Sequence, residues 1–373
     1  MTPTVLLVGL GDLGGVILEL LVRQPKAPRI VVTGRHRGQT EARAGLARLG
    51  AVAQGFDPRV ETGTLDVTDA AATAALVERV APDVVLLTAS RDTWWRPSRL
   101  PPAAAAPLAR AGFGAWLPVH LALPLAFMRA LRSSRWRGPV LTAPFPDVVN
   151  AVLGRLDLAP ACGVGNLDEI VPKVRLLAAA RLGVALDRVE VTLVAHHALE
   201  RFVFASDPPA PRPPYFLRVA CDGDDVTSTV DGDALLFSPW PLPWGPTTHF
   251  LTAGSTVRLV AALLSDSPVD LHAPGPAGLP GGYPVVASRT GVRVRAVPGP
   301  TLTEMVAINE RSHVFDGIAR IETDGAVVFT AETTAIMRET LGYDCPRLAP
   351  DDVETRADEL LARFGEYASA SGG

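Results

Sequence analysis

The sequence predicts an α/β protein of two domains: an N-terminal parallel sheet wound by helices over residues 1–145, and an α+β domain over residues 146–373. Three observations carry this reading. The chain has 373 residues, enough for about two domains at roughly 150 residues each. Short β-branched runs alternate with segments of helical spacing as far as Thr88, the pattern of βαβ units, whose crossovers bring strands together in parallel. At Pro144-Phe145-Pro146 the composition shifts and the alternation stops.

The elements follow in order. Thr4–Val8 reads as a strand, and Val16, Ile17, Leu20 and Leu21 then recur at the steps of a helix packed on a sheet. Arg29–Thr33, bounded by Pro28 and Gly34, is the second strand. Val60–Leu65 is a weaker third, and Asp69 is placed to cap a helix over Ala70–Val80. Asp83–Thr88 is the fourth. Trp94–Pro107, with its prolines and arginines, reads as a loop over the carboxyl edge of the sheet; a helix over Leu117–Leu131 and a strand over Pro139–Ala143 follow. Beyond the boundary, helices are expected at Asp147–Leu156, Leu167–Leu182, Ser255–Leu264, Leu302–Arg311 and Asp351–Phe364. Strands are expected at Arg188–Ala195, Arg201–Phe204, Arg218–Val219, Val226–Val230 and Val292–Val297, with irregular chain through the proline-rich 207–214 and a Gly/Pro-rich loop at Pro274–Pro284.

Composition excludes several function classes. Lys+Arg 35 against Asp+Glu 39 gives a net charge of −4, which offers no basic field for a nucleic-acid backbone. The apolar run Val5–Val22 lacks a basic leader and is interrupted by Asp12 and Glu19, so neither a signal sequence nor a membrane span is expected. Cys162, Cys221 and Cys345 lack the spacing of a zinc site or a disulfide framework and suit a reduced cytoplasm. No Gly-x-Ser-x-Gly elbow is present, and no tyrosine has a lysine four residues on, which removes the serine hydrolases and the short-chain reductases.

Gly9-Leu10-Gly11-Asp12-Leu13-Gly14 matches GxGxxG where its mechanism requires, after a strand and opening a helix. The first glycine permits the turn, the second lets backbone approach a pyrophosphate, and the third lets helix and strand pack closely. An NAD site usually carries an acid at the end of the second strand; here Thr33-Gly34-Arg35-His36-Arg37 has none. Thr33 can donate to a 2′-phosphate, and Arg35 or Arg37 can pair with it, so the expected cofactor is NADP(H). Asp66-Val67 after the third strand and Thr88-Ala89 after the fourth complete the expected site.

In the second half, Gly163-Val164-Gly165-Asn166-Leu167-Asp168, a helix, and Val194-Ala195-His196-His197 at a strand end follow one another. Phe250-Leu251-Thr252-Ala253, Gly281-Gly282-Tyr283-Pro284 and Gly299-Pro300-Thr301-Leu302-Thr303-Glu304 continue the series. Over most of residues 4–312 this order resembles the lactate/malate dehydrogenase superfamily; the N-terminal segment also resembles the NADP-binding domain of saccharopine dehydrogenases. The first resemblance implies that His197 donates a proton while Asp168 orients its ring, with small-molecule substrates and a homodimer or higher homo-oligomer. Adjacent strand residues face opposite ways, so only one of His196 and His197 can face the cleft. Two departures stand out: the family's substrate-clamping arginine is replaced by Val171, and its Asn-Pro-Val-Asp segment by Pro144-Phe145-Pro146-Asp147, leaving Asn150 as a neighbour. Arg91, Arg96 or Arg99 can replace the clamp, and Trp94-Trp95 fits either a bulky apolar substrate or packing; His120 is a reserve acid. A metal site lacks a third ligand beside the paired histidines. The expected activity is NADP(H)-dependent hydride transfer to or from a carbonyl or imine carbon. An amino-acid or opine-type dehydrogenase and a catalytically silent NADP(H)-binding protein remain the alternatives.

Overall fold

The computed structural model describes residues 2–205, 210–243 and 245–372. Its first part runs β1 (Thr4–Val8), α1 (Asp12–Leu21), β2 (Arg29–Gly34), α2 (Arg37–Val52), β3 (Val60–Thr64), α3 (Ala70–Val80), β4 (Val84–Leu87), α4 (Pro102–Arg110), α5 (Leu117–Ser133), β5 (Val140–Thr142), α6 (Pro146–Arg155) and β6 (Cys162–Gly163). These strands form one sheet in the order β3-β2-β1-β4-β5-β6, every pair parallel. All residues of β1 and β4 are buried, as strands covered on both faces must be. The order reverses between β1 and β4, so the crevice for a ligand opens at their carboxyl ends.

The second part continues with α7 (Leu167–Leu182), β7 (Val189–Val194), α8 (Glu200–Val203), β8 (Phe216–Cys221), β9 (Asp224–Asp225), α9 (Gly232–Phe237), α10 (His249–Leu263), β10 (Val269–Pro274), β11 (Gly282–Ser288), β12 (Gly291–Val294), α11 (Leu302–Ser312), β13 (Ile318–Ile321), β14 (Val327–Phe329), α12 (Ala331–Leu341), β15 (Arg347–Leu348) and α13 (Val353–Ala370). Three small antiparallel sheets, β7-β8-β9, β10-β11-β12 and β13-β14-β15, complete the α+β half.

Several expectations change. The parallel sheet does not stop at residue 145, since β6 pairs with β5 at Leu141 and Thr142. The chain's end also returns to the first half: Ile318, Val327, Leu360 and Phe364 share a core with Val77, Leu121 and Leu125. The loop at 94–107 contains α4, which starts at Pro102, where a fixed φ suits a first turn, and continues through a run of alanines. Arg201–Phe204 is not a strand; α8 turns there instead. Val226–Val230 closes a turn through the Val230 N–H donating to the Val226 carbonyl, so no strand forms. Of the proline-rich 207–214, residues 207–209 lie outside the described residues. The stretch Phe113–Ser133 is long and apolar enough to cross a membrane, but most of it is buried inside the protein, as a core helix would be.

Candidate active site

The GxGxxG turn divides its work among its glycines. Gly9 has φ +99, and a Cβ there would come within 2.7 Å of the Ala89 nitrogen, so the chains after β1 and β4 touch. Gly14 packs on the Gly9 carbonyl and Thr88, whose hydroxyl donates to that carbonyl at 2.6 Å. A Cβ on Gly11 would meet nothing within 4 Å. That space is the mouth of a cleft of about 1360 Å³, faced by the amino end of α1, and it fits an anionic group. The cleft runs from this turn past Arg35 and Asp66 to a chamber walled by Phe113, His120, Phe145, His197 and Asp316.

At the turn end, Asp12, Leu13, Gly34, Arg35, Asp66, Val67, Thr88 and Ala89 all line the cleft. Thr33 contributes wall but no free hydroxyl, because it is buried with Oγ1 directed at the Leu7 carbonyl 3.5 Å away. Arg37 is absent from the wall and pairs with Glu41 at 2.8 Å along α2. Asp66 accepts from the Thr68 hydroxyl at 2.7 Å and its N–H at 3.0 Å; these bonds hold its carboxyl below the usual range, with smaller help from the charges of Arg35 and Arg91. Arg91, expected to meet substrate, therefore belongs to this end, tied to Asp358 and 3.8 Å from Glu354 of α13. Arg96 and Arg99 do not line the cleft: one reaches Asp92 at 2.5 Å and lies over Phe364, the other lies over Trp95 at 4.1 Å. Trp95 is buried in that packing, whereas Trp94 lines the cleft with its ring 6.1 Å from His249. Asn150 is wholly buried, accepting from the Thr142 hydroxyl at 2.6 Å and donating to the Gly275 carbonyl at 3.2 Å, so it braces α6 and does not line the cleft.

Of the paired histidines only His197 lines the cleft. Its Nδ1 lies 3.0 Å from Asp316 Oδ2, and its backbone N–H donates to Asp147 Oδ1 at 2.8 Å. Burial opposes the imidazolium, yet the charge and hydrogen bond of Asp316, with Glu200 and Asp147 behind, raise His197 to about 10. Asp147 is pushed up to about 6 by burial and also accepts from the Asn166 amide. His196 is 1% exposed; its Nδ1 accepts from the Ala198 N–H at 3.2 Å, and burial keeps it neutral. Its 3.4 Å approach to Asp316 is therefore not an ion pair. Asp168, expected to orient His197, is not brought to it: it turns toward Ser255 and lies 3.8 Å from Arg258, with burial raising it to about 6. His120 does stand in the wall, 4% exposed, stacked on Phe113 at 5.1 Å and held neutral by burial at about 4. Among the described residues no group of three or more His, Cys, Asp or Glu is placed to hold a metal ion.

No family model matches the chain, and no curated protein is similar to it in sequence. Solved structures do match. Malate dehydrogenase of Cryptosporidium parvum aligns with TM-score 0.55 and 13% identity over 85% of this chain and 97% of its own. Lactate dehydrogenase of Eimeria maxima, solved with NADH and oxamate, aligns with TM-score 0.54 and 13% identity over 84% and 93%. Malate dehydrogenase of Plasmodium falciparum aligns with TM-score 0.53 and 11% identity over 97% and 99%.

The chain has the lactate/malate dehydrogenase fold. Within this fold Val171 faces the core around α7, 9% exposed, so no clamp stands there. The sequence reading missed Phe113, Phe145, Glu169, Glu200 and Asp316, all of which line the chamber. Glu169 sits beside Asp168 and Glu200 lies three residues after His197, and that proximity was the available signal. Asp316 had a weaker one, an acid before Gly317, whose φ of +82 ends a tight turn.

Proposed function

We propose that the protein is an NADP(H)-dependent oxidoreductase acting on a carbonyl or imine carbon of a small to medium organic molecule. His197 is the proton donor and Asp316 the positioning residue. The observation that carries this is the His197–Asp316 pair at 3.0 Å, set in the wall of the same cleft that opens on the GxGxxG turn. The turn of Gly9, Gly11 and Gly14 and the amino end of α1 would hold the pyrophosphate, and Arg35, with no acid at the end of β2, would hold the 2′-phosphate. When bound, the cofactor supplies a hydride to the substrate carbon.

The chain's own residues supply the rest. A histidine at about 10 is an imidazolium at neutral pH, ready to give a proton to the atom that gains electron density, so the reductive direction is favoured. Asp316 holds Nδ1, which leaves Nε2 for the substrate. The rings of Phe113 and Phe145, 4.9 and 5.2 Å from that of His197, exclude water around the reacting atoms. With Val171 at the clamp position, a 2-oxo acid lacks its anchor. The test is reduced-nicotinamide absorbance with NADPH or NADH over a panel of ketones and imines. Turnover with NADPH that His197→Ala abolishes supports the reading; tight NADPH binding without turnover on any class favours the silent alternative.

A further inference from the structure

The chamber around His197 gathers more carboxyl groups than the reduction of a neutral ketone needs. Burial raises Glu169 to about 7 and raises Glu200 well above its ordinary value, with the Glu169 charge adding to the latter, so these two give up their protons to an entering cation. Asp147, Glu169, Glu200 and Asp316 all bear electrostatically on this one imidazolium. Glu169 accepts from the Asn166 N–H at 3.0 Å, and Asp147 and Asp316 hold the His197 backbone and ring. Glu200 differs: its Oε1 is buried without a hydrogen-bond partner among the described residues. A second orphan lines the same chamber, where His120 is 4% exposed with Nδ1 unpartnered among the described residues. Being neutral, that ring can accept an N–H. Phe113 and Phe145 line the same chamber, their rings meeting edge to face at 4.7 Å. Aromatic rings, buried carboxyl groups that an entering cation ionises and an unfilled acceptor together recognise a cation bearing N–H.

We infer that the substrate is an imine, reduced through its iminium to an amine: Glu169 and Glu200 hold the nitrogen cation beside the Phe113 and Phe145 rings, and His120 accepts the second N–H of the product ammonium. This rests on the reductase reading above. The step balances. His197 Nε2 gives its proton to the imine nitrogen and becomes neutral; hydride from NADPH bonds to the carbon; the C=N π pair moves to nitrogen, leaving an amine and NADP⁺. Glu169 and Glu200, ionised by the cation beside them, stabilise the positive charge that exists between the two transfers.

The experiment uses the full chain and probes matched in shape: 3,4-dihydroisoquinoline against 1-tetralone for turnover, and tetrahydroisoquinoline against tetralone and tetrahydronaphthoate for binding by calorimetry. The ammonium probe is expected to bind at least about tenfold tighter than the other two, and the imine to be reduced at least about a hundredfold faster than the ketone. Glu200→Gln and Glu169→Gln should each remove about tenfold of the ammonium affinity while NADPH affinity and the melting temperature hold. Equal or tighter binding of the ketone or carboxylate, or unchanged ammonium affinity in both variants, overturns the inference. Ketone turnover that depends on His197 then leaves the reductase reading standing; selective ammonium binding without NADPH binding sinks that reading and keeps the cation site.

Discussion

Asp316→Asn removes a charge from the His197 pair and leaves an oxygen that can still accept from Nδ1. Its effect follows from the environment of the ring. His197 stands at about 10 against an ordinary value of 6.5, although burial alone would lower it. At about 1.4 kcal/mol for each tenfold in proton affinity, the folded state favours the imidazolium by about 5 kcal/mol. Asp316 is the largest of the raising influences, ahead of Glu200 and Asp147. Without it, His197 should fall by about 3 pH units or more, and stability at pH 7 should drop by about 3–5 kcal/mol, the usual cost of breaking a buried pair.

The sign of the pH dependence is fixed by linkage. Between 6.5 and about 10 the folded state holds a proton that the unfolded chain has released, so stability falls as pH rises through that window and is fully present below it. The wild type should therefore lose stability from pH 7 to pH 10, and Asp316→Asn should lose that slope. Urea unfolding across this range, with ring carbon-13 titration of His197, reads both quantities. A His197 that still titrates above 9 in the variant, or a stability loss below about 1 kcal/mol, would refute the assignment of Asp316 as the positioning residue.

Three further outcomes are expected. Asp168→Asn should leave single-turnover rates within about threefold, because Asp168 does not touch His197. It should also stabilise the fold above pH 6, where burial makes that carboxylate costly, as paired urea curves at pH 5 and pH 8 would reveal. Gly11→Val should fold with the wild-type melting temperature, since a Cβ there meets no atom, yet lose dinucleotide binding in a fluorescence titration; retained affinity would make the turn purely structural. Arg35→Ala should weaken NADPH by about 1.5–3 kcal/mol and NADH much less, and equal losses by calorimetry would remove the NADP(H) assignment.

What the sequence disclosed was what local chemistry encodes. The parallel strands, the GxGxxG turn and the Asp69 cap, which accepts from the Ala72 N–H at 2.9 Å, depend on neighbours within a few residues, and each stands where its pattern placed it. Pairing across the chain was not legible in that way. Asp316 lies 119 residues beyond His197, in a turn with no periodicity to mark it. Its approach depends on Gly112 and Gly114, because a Cβ on the first would come within 2.6 Å of the Asp316 carbonyl. Arg91, Arg96, Arg99 and Trp95 were similarly drawn away by partners on α13 or by one another, which a reading of their own segment could not reveal.

The exchange of Asp168 for Asp316 has a local cause in how α7 begins. Asn166 caps this helix, and Glu169 reaches back to accept the Asn166 N–H at 3.0 Å, forming a capping box. The Asn166 amide in turn donates to Asp147, whose other oxygen accepts the His197 N–H. This chain of bonds commits the Glu169 face of the first turn to the cleft. Neighbours on a helix point about 100° apart, so Asp168 is carried round toward Ser255 and Arg258 on α10. The Leu-Asp pair thus keeps its place in the sequence and loses its place at the histidine. The carboxylate that meets the ring comes from the turn after α11, while the cap turns a second acid, Glu169, into the chamber, where burial raises it to about 7.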